Sequence, residues 1–170
     1  MILEIIQHTP IWVFILFIGL VFLGYTQTKD REVKLKRIFT LPIAMILLSL
    51  FGVFSAFGTM ITPVGLWFIG GFIFLLIGLK LSFPKNIKYN ESEDVFYIPG
   101  SWMPMVLILV IFFIKYFVGV ALARELSIIH ELGFIIAISF LYGSLSGIFL
   151  SRSIVIMQSK IYNKSLERNI

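Results

Sequence analysis

Long apolar runs separated by short clusters of charge set the pattern of this chain. Five runs stand out, at about residues 10–27, 39–58, 64–79, 102–123 and 133–151. Each is ~16–22 residues long, about the length that crosses a hydrocarbon core of about 30 Å as a helix. Too little polar sequence remains for a separate soluble domain. The chain therefore reads as a single membrane domain, 1–170, of the all-α integral class: a bundle of five transmembrane helices.

The ends of the runs carry the expected punctuation. Pro10 suits a first helical turn, and Trp12 and Tyr25 sit where amphipathic rings prefer the interface. Trp67 is expected near the outer boundary of span three. Residues Met1–Thr9 suggest a short interfacial helix, and the first apolar run is expected to be retained as a span, since it lacks a cleavage signature. The connector Lys29–Arg37 mixes five cations with Asp30 and Glu32 and reads as solvated. In the longest loop, 80–101, Ile87–Tyr89 and Val95–Ile98 have the alternation of short strands flanking turn residues, so a small hairpin is expected there. Leu41-Pro42 and Met103-Pro104 open similar apolar runs and suggest a duplicated helical hairpin.

Charge changes the picture by fixing an orientation. The net charge is +5. With alternating spans, Lys29, Arg31, Lys34, Lys36, Arg37, Lys80, Lys85, Lys88, Arg152, Lys160, Lys164 and Arg168 fall on one side, and only Arg124 on the other. The positive-inside rule then places the N-terminus outside and the C-terminus in the cytoplasm. The basic surplus is an orientation signal with some attraction to anionic lipid, not a nucleic-acid footprint. There is no cysteine, which removes disulfides and thiolate metal sites.

Lys115 is the sharpest chemical signal. It interrupts an otherwise apolar span, about 18 Å from an entry at Met103 at the helical rise. No Asp or Glu lies in any span, so an ion pair is not on offer. Tyr142 and Ser139 on span five and Ser55 on span two are the candidate partners, with a hydrated cavity as the other resort. Lys115, Tyr116, Tyr142 and Ser139 are thus the ligand or pathway candidates. The bland reading is an outward-snorkelling lysine or a structural hydrogen bond to Tyr142.

Other constellations are weaker. Gly100, Ser101 and Trp102 open span four with turn chemistry, and free amides there would suit an anion or lipid headgroup; a plain loop-to-helix junction explains them as well. Ser139, Gly143, Gly147 and Ser151 recur every four residues and include GxxxG, while Ser49, Gly52 and Ala56 form a second stripe. Both rows point to close helix packing, within the chain or across a two-fold axis. His8, His130 and Glu131, with Glu4 and Glu125, are a meagre metal inventory whose spacing is not diagnostic. No cofactor is expected, and no nucleophilic triad can be assembled.

The run PGSWMPMVLILVIFFIKYFVGVALA, followed by LYGSLSGIFLSR, resembles a family of small bacterial inner-membrane proteins known only as a domain of unknown function. HTPIWVF and KLKRIFTLP fit it too. The matching positions are Pro10, Trp12, Arg37, Pro42, Pro99, Gly100, Ser101, Trp102, Pro104, Phe113, Lys115, Tyr116, Gly143, Gly147 and Arg152. The resemblance implies a five-span bacterial inner-membrane protein and carries no activity. Function then reads as a non-enzymatic module that binds membrane lipids or a partner protein and self-associates. A minimal transporter or channel subunit lined by Lys115, and an intramembrane enzyme, are the alternatives.

Overall fold

The computed structural model describes residue 7 and residues 9–167, with side chains up to residue 160. The interfacial helix expected over residues 1–9, together with Glu4 and His8, therefore falls essentially outside the described residues. The chain is 75% helical, and among the described residues four of five helices are long and apolar enough to cross a membrane.

The elements follow one another as α1 (Ile11–Thr26), strand β1 (Arg31–Lys34), α2 (Leu35–Phe57), α3 (Ile61–Leu81), strands β2 (Lys88–Asn90) and β3 (Val95–Ile98), α4 (Met103–Ala123), a single 3-10 turn (Ser127–His130) and α5 (Leu132–Glu167). α2, α3, α4 and the first part of α5 are the four membrane-capable helices. α1 has sixteen residues, about 24 Å of rise, which is short of a full hydrocarbon thickness. α5 continues well past the expected end of span five, into the basic tail.

The expected hairpin is present, but it belongs to a three-stranded antiparallel sheet of order β1-β3-β2, so the class is not purely α. β1 lies in the segment read as a solvated connector. Its Arg31-Glu32-Val33-Lys34 sequence holds one apolar residue, and alternation cannot be seen in so short a charged run. Val33 pairs with Phe96 of the central strand, and Phe96, Ile98 and Val33 join Ile38 of α2 and Ile156 of α5 in one buried cluster. The two outer strands are short and charged, which blunts them against further pairing.

Helix packing is densest between α3 and α5. A Cβ at Gly143 would run into the carbonyl of Trp67, one at Gly147 into that of Gly71, and one at Gly70 would come within 2.5 Å of the Phe140 carbonyl. The four-residue row on α5 thus meets α3 of the same chain, backbone against backbone. It is not available to a second copy.

α2 is tied in by hydroxyls. Ser49 is fully buried; it donates to the Tyr142 carbonyl at 2.9 Å and accepts from Trp67 Nε1 at 2.7 Å and from Ser146 Oγ at 2.9 Å. Trp67 is therefore an internal strut, not an interfacial anchor. Pro42 lies within α2, whereas Pro104 sits in the first turn of α4, so the two prolines do not mark equivalent helix starts. Having no N–H, Pro42 leaves the Ile38 carbonyl without its helical partner. The Ser153 hydroxyl of α5 donates to that carbonyl at 3.0 Å.

Two predictions follow from these contacts. Ser153→Ala orphans the Ile38 carbonyl and should destabilise the protein by about 1 kcal/mol, between the usual interhelical value and the cost of an unsatisfied buried acceptor. Pro42→Ala restores the helical donor, so in that background Ser153→Ala should cost far less. Unfolding equilibria of the four proteins in detergent micelles measure the coupling, and additivity would refute the exchange of donors. The second concerns the clamp on α5: Asp94 accepts from Tyr89 Oη at 2.5 Å and pairs with Lys160 Nζ at 2.9 Å. The Tyr89 hydrogen bond first, and then Lys160, hold its carboxyl below the usual 3.8. A depressed carboxylate stabilises above its unfolded pKa and loses that contribution as pH falls through its folded value. Asp94→Asn should lower the melting temperature slightly at pH 7, and the two melting temperatures should converge below about pH 4.

Candidate functional site

α1 leans on α4 and makes little contact with α2. The result is a lateral crevice with α1 and α2 as walls and α4 as floor. Two cavities lie end to end along it. The one farther from the sheet, about 900 Å³, is lined by Trp12, Leu16 and Leu20 of α1, Met45, Leu48 and Phe51 of α2, and Ile108, Ile111, Phe112, Lys115, Tyr116 and Gly119 of α4. The one at the sheet end, about 660 Å³, begins one turn further along the same helices, at Leu23, Leu41 and Pro104, and ends at Arg31, Arg37 and Arg152.

Lys115 reaches across the upper cavity to α2. Its ammonium lies 5.7 Å from the centre of the Phe51 ring and 5.9 Å from that of Tyr142, the range of a cation–π contact. Gly52 makes this approach possible: a Cβ there would stand 3.1 Å from Lys115 Nζ and 3.2 Å from the Tyr142 ring. Among the described residues Lys115 makes no hydrogen bond or ion pair. The hydrogen bond to Tyr142 considered from sequence is not formed; the ammonium meets the ring instead. The hydroxyls of Tyr142 and Ser139 are both buried without a hydrogen-bond partner, and Ser55 is exposed. Tyr116 stacks against Phe112 and exchanges a 2.6 Å hydrogen bond with Thr9 at the rim of the cavity.

The start of α4 is arranged otherwise than expected. The Gly100 amide donates to Asp30 Oδ1 at 2.6 Å and the Ser101 amide to the Gln27 carbonyl at 3.0 Å. Ser101 Oγ accepts from the Met103 amide at 3.2 Å, and a Cβ on Gly100 would strike the Thr28 carbonyl. These amides are spent on joining the end of α1 to the start of α4, and Trp102 is exposed. The loop is a junction, not a vacant anion cradle. At the far end, His130 and Glu131 are exposed, and the described residues contain no cluster of three potential metal ligands.

Sequence reasoning passed over the arginines. Arg152 is 7% exposed, and both its terminal nitrogens, like Nη1 of Arg31, are buried without a hydrogen-bond partner. The two guanidiniums are close enough to repel each other. Burial pulls Arg31 below its ordinary value, though guanidinium remains a cation at neutral pH. Arg152 was counted only among the orienting cations and the positions matching the family; the apolar residues on either side of it, Leu150 and Ile154, were the signal that it stays in the bundle.

A family model described as a family of unknown function, DUF6622, matches residues 1–162, and the chain belongs to that family. No curated protein and no solved structure matches it.

Proposed function

We propose that this member of DUF6622 is a non-enzymatic lipid-binding module of the bacterial inner membrane. In this reading α1 makes a fifth pass across a locally thinned bilayer, and the sheet with its surrounding cations faces the cytoplasm, as the positive-inside rule requires. The lateral crevice between α1 and α2 holds the apolar part of a lipid. Lys115 presents its ammonium to an acceptor on that ligand, an ester or carboxylate oxygen.

One observation carries the reading. A cavity of about 900 Å³ lies between helices, walled mostly by aliphatic and aromatic side chains with Thr9 and Arg124 among the other lining residues, and the single ammonium in it is left without a hydrogen-bond acceptor among the described residues. A cavity of that size and lining suits a ligand that is mostly apolar with one polar group. The chemistry needed for catalysis is thin by comparison. The titratable neighbour of Lys115 is Tyr142, whose buried hydroxyl is not positioned on it by any hydrogen bond.

A solute pathway is the second reading, supported by the end-to-end stacking of the two cavities. It demands flux through proteoliposomes that Lys115→Met abolishes without unfolding the protein.

Gly119 gives a clean test of the lipid reading. It lines the crevice, and a Cβ added there meets nothing within 4 Å. Gly119→Leu should fold normally and fill the space. Native mass spectrometry of the purified full chain should show one retained phospholipid or fatty acid on the wild type. Gly119→Leu should retain about tenfold less, a loss matching the volume taken by one leucine side chain in the ligand's place. Lys115→Met should weaken retention less. Equal lipid retention by all three proteins would sink the reading.

A further inference from the structure

The geometry points to a second site: the cavity between Arg31 and Arg152 binds a phosphate-class oxyanion, either a phospholipid headgroup or free phosphate. It lies at the other end of the crevice from Lys115 and does not depend on what the upper cavity holds.

The argument starts from the cost of burying charge. A guanidinium carries five N–H donors in a planar fork and cannot shed its charge. Arg152 is more than nine-tenths buried, yet neither terminal nitrogen has an acceptor. The contact the chain gives it is the face of the Phe83 ring, 5.6 Å from Cζ. Arg31 approaches from β1 with Nη1 likewise buried and unpartnered. Two like charges facing each other across a cavity are each other's worst neighbours, unless an anion joins them.

Nearby acids do not fill that role. Asp30 is engaged by the Gly100 amide. Glu32 also lines the cavity, but it interacts with the Tyr97 hydroxyl and forms no ion pair with either arginine among the described residues. Arg37 adds a third, exposed cation at the mouth. α2 begins beside the cavity with no side-chain cap, so the positive end of its dipole lies near it. Two forks converging on about 660 Å³ match a tetrahedral oxyanion, which offers each of them a pair of oxygens. The buried Gln27 Oε1, also unpartnered, suits a protonated phosphate oxygen or a headgroup hydroxyl. A single halide would leave most of these donors empty.

The test uses the full chain in non-ionic detergent, with inorganic phosphate titrated against chloride at constant ionic strength. A parallel arm compares nanodiscs of phosphatidylcholine with nanodiscs containing phosphatidylglycerol. Melting temperature is read throughout for wild type, Arg31→Gln, Arg152→Gln, Arg152→Lys and Lys115→Met. The expected result is a saturable rise for wild type and for Lys115→Met, with the apparent affinity of each arginine variant down about tenfold or more. Arg152→Lys keeps the charge but loses the fork, so it should resemble Arg152→Gln. If Arg152→Gln does not fold, Arg31→Gln on the edge strand decides. A response to inorganic phosphate identifies a free anion, and a response confined to phosphatidylglycerol identifies a headgroup. No response of the wild type in either arm, or an undiminished response in the arginine variants, overturns the site. Loss of lipid from the upper cavity in Gly119→Leu, with this response intact, separates the two proposals.

Discussion

One buried hydroxyl, that of Ser49, fixes how the bundle is put together. It is shared by Trp67 of α3 and by Ser146 and the Tyr142 carbonyl of α5, so three helices meet at a single oxygen of α2. Individually such interhelical bonds are modest in a membrane, averaging about 0.6 kcal/mol. Their effect lies in registration: each demands a particular height and rotation of its helix. The glycines of α3 and α5 then bring those two backbones into contact. With α2, α3 and α5 locked, Gly52 faces Tyr142 at the one place where a lysine from α4 can reach in.

What is not locked matters as much. α1 shares neither the hydroxyl hub nor the glycine seam, and its contact is mainly with α4. It is held at one end by the Ser101 amide on the Gln27 carbonyl, and at the other by the Tyr116–Thr9 hydrogen bond. Between those ends it stands off from α2. A helix pinned at its tips and along one side leaves a slot on the other, and that is where both cavities lie. The architecture is a rigid three-helix core carrying a looser pair.

Much of this was legible in the sequence, for reasons that can be named. Apolar runs of bilayer length announce spans however they pack. The small-residue rows on α2 and α5 signal close approach because only small residues permit it. Lys115 was visible because an amine inside such a run has few ways to be tolerated. The failures share a physical cause as well: they concern partners distant in the chain. β1 becomes a strand only because Val95–Ile98 offers it an apolar partner, which Arg31–Lys34 cannot reveal alone. Gly100 and Ser101 have free amides only until Asp30 and Gln27 fold against them. Arg152 reads as one more orienting cation until the fold sets it against Phe83 and Arg31.

The two polar sites differ in what each side chain requires. Lysine's ammonium is a point charge on a flexible stem, and two aromatic faces satisfy part of its need at low cost in geometry. Guanidinium is a rigid fork, and an aromatic face leaves its in-plane donors unmet. The mid-depth site can therefore stand partly empty without strain, whereas the arginine site calls for oxygen acceptors in fixed positions. From Pro104, which lines the lower cavity, to Lys115 is eleven residues of α4, about 16 Å of rise. No single headgroup bridges that span. If both proposals hold, a ligand group near Lys115 and another between the arginines would belong to different molecules or to opposite ends of a long one, and the crevice between them is lined by the apolar residues that a hydrocarbon chain would need.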